Sequence, residues 1–164
     1  MMARLEGPAD VLRRTGVMGM SVVPLDLVEE RIRSTLPGFP SIQGAYVFGS
    51  VLGDDPLVGD IDVGVIAPGI SERDAERMEV QLEESLGCID GVAFDVTVLD
   101  DGSVPFVMKV LREGRLVYAA DMDIVTDFIE RVSLAWRDIG PRYERARREV
   151  LEGVRAHGRR SRPH

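Results

Sequence analysis

The residues best placed to do chemistry lie in the stretch VFGSVLGDDPLVGDIDVGVI, residues 47–66. A hydrophobic strand runs into Gly49, where the missing side chain lets backbone amides approach an anion closely. Ser50 adds a hydroxyl donor at the same turn and is read as the start of a helix whose N-terminus faces that anion. After the nine residues 51–59 comes Asp60-Ile61-Asp62, at the start of the next strand. Alternation in a strand sends Asp60 and Asp62 to one side and Ile61 to the core. Two carboxylates held so close repel one another unless a cation sits between them. Magnesium, bound by one or two carboxylates plus substrate phosphates, meets that need. The pattern therefore reads as a metal–triphosphate site.

Asp95 repeats the theme. It sits between Phe94 and Val96 in an apolar strand, so its side chain emerges opposite the core residues. A third carboxylate on a neighbouring strand would complete a two-metal site, one metal activating an attacking hydroxyl and the other holding the triphosphate, or accept the proton of that hydroxyl. Asp90 is also near, but it precedes a glycine in a turn-like CIDG, which favours a structural job. Cys88 reads as a small buried hydrophobe.

The elements that must position these groups alternate between helix and strand. Leu25, Val28, Ile32 and Leu36 share one face of a helix over 24–36, ended by Pro37-Gly38. Strands are expected at 43–48 (QGAYVF), 61–66 (IDVGVI) and 92–99 (VAFDVTVL), the last with Phe94, Val96 and Val98 on one side and Asp95 and Thr97 on the other. Ser71 with Asp74 marks the start of a charged helix reaching Leu86. A short helix over 105–113 ends at Gly114, read as a left-handed cap, and LVY at 116–118 as an edge strand. From Asp123, Ile124, Phe128, Val132, Trp136 and Ile139 recur at helical spacing up to Gly140-Pro141. Tyr143, Ala146, Val150 and Val154 then continue on what reads as the second arm of a helical hairpin. That stripe is read first as packing against its own domain, with a partner or dimer face as the alternative. The division expected is an unassigned lead-in over 1–23, a catalytic domain over 24–120, the hairpin over 121–158 and a disordered tail over 159–164.

Composition limits the field. The 164 residues, 45% of them hydrophobic, suit one domain with one core. With Cys88 as the only cysteine, an intramolecular disulfide and a cysteine zinc cluster are excluded. His157 and His164, the only histidines, lie in the tail, which excludes a histidine metal cage or a Ser-His-Asp triad in the domain. No run approaches the ~18 apolar residues of a membrane span, and the charged first residues lack the apolar segment of a secretory signal. A cytoplasmic protein with no membrane association is expected. Residues 1–130 carry a net charge of −14 and residues 131–164 one of +6. The acidic body argues against a grip on extended nucleic acid. The arginine-rich tail reads as a solvated helix face, or as a dock for an acidic partner or weak contact with RNA.

A glycine-serine turn, a nine-residue gap, D-I-D and a later strand aspartate together resemble the minimal nucleotidyltransferases of the DNA polymerase β-like superfamily. The resemblance spans roughly residues 25–120. It implies an α/β (α+β) fold with a small mixed sheet flanked by helices. It also implies that Gly49 and Ser50 bind the triphosphate of ATP, and that Asp60 and Asp62 hold magnesium, joined by Asp95 as ligand or base. The tail segment DFIERVSLAWRDIGPRYERARREVLEGV is similar to the helical C-terminus of nucleotidyltransferase antitoxins paired with HEPN toxins. That likeness implies a protein adenylyltransferase, moving AMP from ATP to a tyrosine of a HEPN-type partner. Where many members read G-S-R-A-R-G, this chain reads GSVLG, and Gly59 stands where many have serine, so the loop brings no positive side chain to the phosphates. Two other functions fit the same residues. One is nucleotidyl transfer to a small molecule such as an aminoglycoside, though no second domain is evident to build its pocket; the other is a weakly catalytic module that neutralises a partner by contact. The sequence leaves the oligomeric state open, homo-oligomers included.

Overall fold

A computed structural model describes the backbone of residues 22–53 and 57–160, and the side chains as far as residue 152. The lead-in up to residue 21, the Asp54-Asp55 pair, the Val154 side chain and residues 161–164 lie outside the described residues. The elements are α1 (Leu25–Thr35), β1 (Gly44–Phe48), β2 (Ile61–Ile66), α2 (Glu72–Leu86), β3 (Cys88–Ile89), β4 (Val92–Val98), α3 (Val104–Glu113), β5 (Arg115–Ala119) and α4 (Met122–Arg160). Short 3-10 turns occupy Leu36–Gly38 and Gly49–Leu52. One five-stranded sheet runs in the order β3-β4-β2-β1-β5. Its β2–β4 pair is parallel and the other pairs are antiparallel, so the sheet is mixed, as expected.

Strand alternation divides the core in two. Ile61, Val63 and Val65 of β2 join Phe94, Val96 and Val98 of β4 on one face. There α1 lays down Val28, Ile32 and the following Leu36, and α2 lays down Ala75, Met78, Leu82 and Leu86. Their spacing is the apolar stripe of an amphipathic helix. Full burial of such a side chain contributes about 1.5–3 kcal/mol. The expected cap also forms, with the Ser71 hydroxyl accepting from the Asp74 N–H at 3.2 Å. On the opposite face a smaller cluster joins Tyr46, Ile66 and Leu99 to Val107, Met108 and Val110 of α3 and to Val125, Phe128 and Val132 of α4.

Because β3 pairs only with Ala93 and Val92, the outer edge of β4 runs bare beyond them. Two carboxylates of α2 take the place of a further strand. Glu83 accepts from the Val96 N–H at 3.0 Å and Glu79 from the Val98 N–H at 2.8 Å. This fixes β4, and with it Asp95, against the helix.

Four expectations need correction. The C-terminal segment is one helix, not a hairpin: α4 continues from Met122 to Arg160 with Pro141 inside it, so residues 159 and 160 belong to the helix rather than to a disordered tail. A proline costs a helix one backbone hydrogen bond and a steric clash, but does not by itself reverse the chain. The rings of Trp136 and Tyr143 also meet edge-on at 5.7 Å across the break, tying its two sides together. Gly114 is not left-handed; its φ is −81°. A glycine is needed there because a Cβ would crowd the carbonyl oxygens of Val110 and Val47. Cys88 is exposed, since its two-residue strand lies at the sheet's edge. On α4 the buried position is Val125 rather than Ile124, which is only partly covered.

Candidate functional site: an acidic triad beside a glycine turn

The parallel register of β2 and β4 sets Asp62 directly opposite Asp95. Asp60 immediately precedes β2, and with Ile61 wholly buried between them the two aspartates project to the other face. Each of Asp60, Asp62 and Asp95 offers a carboxylate oxygen within 4.8 Å of the others. Sequence reasoning thus named three residues that the fold brings together. They lie on the face carrying α3 and α4, since Asp62 and Asp95 have the opposite parity to the buried residues of their strands.

Gly49 closes the site from the β1 side. Phe48 pairs with Asp62, and the next residue turns with φ +76°, a conformation that side chains disfavour. A Cβ at Gly49 would overlap the Asp62 carboxylate, so glycine is required twice over. Ser50 follows, exposed, in a 3-10 turn rather than in the helix expected. Val51 points into the core, which explains why this position carries no basic residue.

The electrostatics suit cation binding. Burial first, then Asp60 and Asp95, push the Asp62 carboxyl above the usual aspartate range, with Lys109 opposing. Asp95 is raised by burial first, then by Glu83 and Asp60. Among the described residues no arginine or lysine forms a salt bridge with any of the three. A divalent ion bound by oxygen ligands fits such a donor set.

The other acidic residues sort differently. Asp90 adopts φ +51° in the turn between β3 and β4, the structural role expected of it. Asp100 accepts from the Ala67 N–H at 2.7 Å and pairs with Arg131 at 3.4 Å, so it too is structural. Beside the triad a cavity of about 550 Å³ is lined by Gly49, Leu52, Asp62, Phe106, Lys109 and Glu113. A second, of about 420 Å³, shares Phe106, Lys109 and Glu113 and continues to Arg112, Trp136 and Arg147. Sequence reasoning missed Lys109, although one signal pointed to it: it is the only lysine among 20 basic residues.

No described helix is long and apolar enough to cross a membrane. The sequence matches none of the curated proteins. Solved structures share the fold. A chain of the Shewanella oneidensis complex of a tri-AMPylated HEPN toxin with an MNT antitoxin aligns at 20% identity and TM-score 0.52, over 80% of this chain and 98% of that one. A chain of a toxin–antitoxin complex with AMP-PNP aligns at 20% identity and TM-score 0.53, over 77% and 97%. A chain of the MntA–HepT toxin–antitoxin complex aligns at 19% identity and TM-score 0.50, over 79% and 97%. The family described as Polymerase beta, Nucleotidyltransferase matches residues 30–123, a span holding the glycine turn and all three aspartates. The chain therefore belongs to the polymerase beta nucleotidyltransferase family.

Proposed function

We propose that this protein is a magnesium-dependent adenylyltransferase that moves AMP from ATP to a tyrosine of a HEPN-type partner, acting as its antitoxin. The observation that carries this reading is the convergence of Asp60, Asp62 and Asp95 beside the Gly49 turn. A chain of a complex with a tri-AMPylated HEPN toxin shares the fold, which supports the choice of acceptor and partner. Another from a complex with AMP-PNP supports ATP as donor.

In this reading Asp60 and Asp62 hold the metal, Asp95 joins them as ligand or base, and Gly49 and Ser50 receive the triphosphate. When bound, magnesium would neutralise charge on the phosphates and polarise the reacting phosphoryl group. The acceptor hydroxyl attacks the α-phosphorus. Its oxygen–phosphorus bond forms as the α–β bridging bond breaks and pyrophosphate departs. The hydroxyl proton passes to the Asp95 carboxylate, which faces Asp62 across the β2–β4 register.

Incubation with ATP labelled at the α-phosphate, magnesium and either a HEPN-type protein or an aminoglycoside tests the proposal. Label on a partner tyrosine, lost on adding EDTA, is the expected result. Label on an aminoglycoside instead would overturn the choice of acceptor. Tight partner binding with no transfer would leave a contact-only neutraliser.

A further inference from the structure

We propose that Lys109, on α3, is the cation that grips the β- and γ-phosphates of the nucleotide, a role the glycine-serine loop cannot fill. This rests on the nucleotidyl-transfer reading above and deepens it. The loop has no basic side chain to offer, because Val51 is turned into the core and Leu52 packs partly against it. A triphosphate carries several negative charges, and the carboxylates on its metal-facing side repel whatever the metal does not neutralise. A cation lining the same cavity would offset that charge.

Three independent observations converge on Lys109. It lines the cavity that holds Gly49 and Asp62, so a chain of phosphates leaving the triad would meet it. It is exposed and makes no salt bridge among the described residues, whereas Arg33, Arg77, Arg115 and Arg131 are all engaged. It is also the only lysine in the chain, beside 19 arginines. A compact ammonium on a flexible stem can follow a phosphate as its bonds rearrange, which a planar guanidinium does less readily. Glu113 lies one helical turn further on and lines the same cavity, so its charge opposes the phosphates.

Because Lys109 is the only side-chain amine, its reactivity reads occupancy directly. Acetylation of Lys109 by a water-soluble acetyl ester, followed by peptide mass spectrometry, should slow when magnesium and ATP or inorganic tripolyphosphate are present, and should be unaffected by AMP. Calorimetry should show Lys109→Ala weakening ATP roughly 10-fold or more, the usual cost of a charged hydrogen bond, with AMP affinity unchanged. Lys109→Arg should recover most of the loss, and Glu113→Gln should tighten ATP. Equal protection by AMP and ATP, or unaltered ATP affinity in Lys109→Ala, would overturn the assignment. If the alanine variant binds ATP normally while Asp60→Ala with Asp62→Ala does not, this inference alone fails. If the wild-type protein binds no nucleotide, the transfer reading falls and takes this one with it.

Discussion

The two faces of the sheet are built for different ends. On the α1/α2 face, strands and helices interlock through aliphatic side chains, many of them wholly inaccessible. The α3/α4 face has a smaller and more aromatic cluster, and shares its area with three carboxylates, a lysine and two cavities. The first face accumulates stability, and the second spends some of it on crowded like charges. The difference teaches that substitutions on the first face should report on folding, and those at the triad on chemistry. In one case a triad substitution should even improve folding.

The largest effect should come from removing the proposed metal ligands. Asp60→Ala with Asp62→Ala should lower AMP transfer by about 10³-fold, the equivalent of several kcal/mol of transition-state stabilisation. Partner binding measured by calorimetry should persist. Next, Asp95→Asn should cost roughly 10²–10⁴-fold in transfer, the usual range for losing a general base. On the opposite face, Leu82→Ala should destabilise by about 2–5 kcal/mol in denaturant titrations while turnover below the melting transition holds. A mutant that lost transfer in proportion to stability would erase the contrast between the faces.

The pH dependence sharpens the comparison. Asp62 and Asp95 hold protons more tightly in the fold than in the unfolded chain. Their favourable contribution is therefore complete below the ordinary aspartate range and is lost as pH rises through the raised native values. Metal-free protein should accordingly melt at lower temperature as pH climbs through that window. Asp62→Asn should flatten this decline, raising the neutral-pH melting temperature while abolishing transfer. Magnesium should restore the wild-type melting temperature at neutral pH and lose that effect on acidification, as protons compete for the same oxygens. An Asp62→Asn protein less stable than wild type at neutral pH would contradict the crowding.

The smallest effect on stability belongs to the far part of α4. Trp136 still packs partly against the smaller cluster, but beyond it Ile139, Tyr143 and Val150 of the expected stripe are exposed. Ile139→Ser with Val150→Ser should change stability by no more than about 0.5 kcal/mol. Weakened partner binding with normal tripolyphosphate binding would assign this stripe to contact rather than to packing.

What was legible in the sequence follows from locality. The bounds of β2 agree with the expectation because IDVGVI lies between clear breaks, and strand alternation sent Asp62 and Asp95 to the face away from the core. Lys109 was hidden because its place beside Asp62 depends on how α3 docks over β1, a contact with no local pattern. The path of α4 through Gly140-Pro141 was misread because a breaker pair signals a turn locally. Whether the chain reverses depends on neighbours such as Trp136 and Tyr143. Cys88 was misplaced because a two-residue edge strand has too little periodicity to show which side faces out.

The central claim is that the triad and the glycine turn form one metal–triphosphate site. Crystals grown with manganese and a non-hydrolysable ATP analogue test it most directly, through the anomalous signal of the metal. The account predicts a manganese peak among the carboxylates of Asp60, Asp62 and Asp95, with the phosphates running past Gly49 and Ser50 towards Lys109. A nucleotide seated elsewhere, or phosphates bound beside a triad that holds no metal, would contradict it.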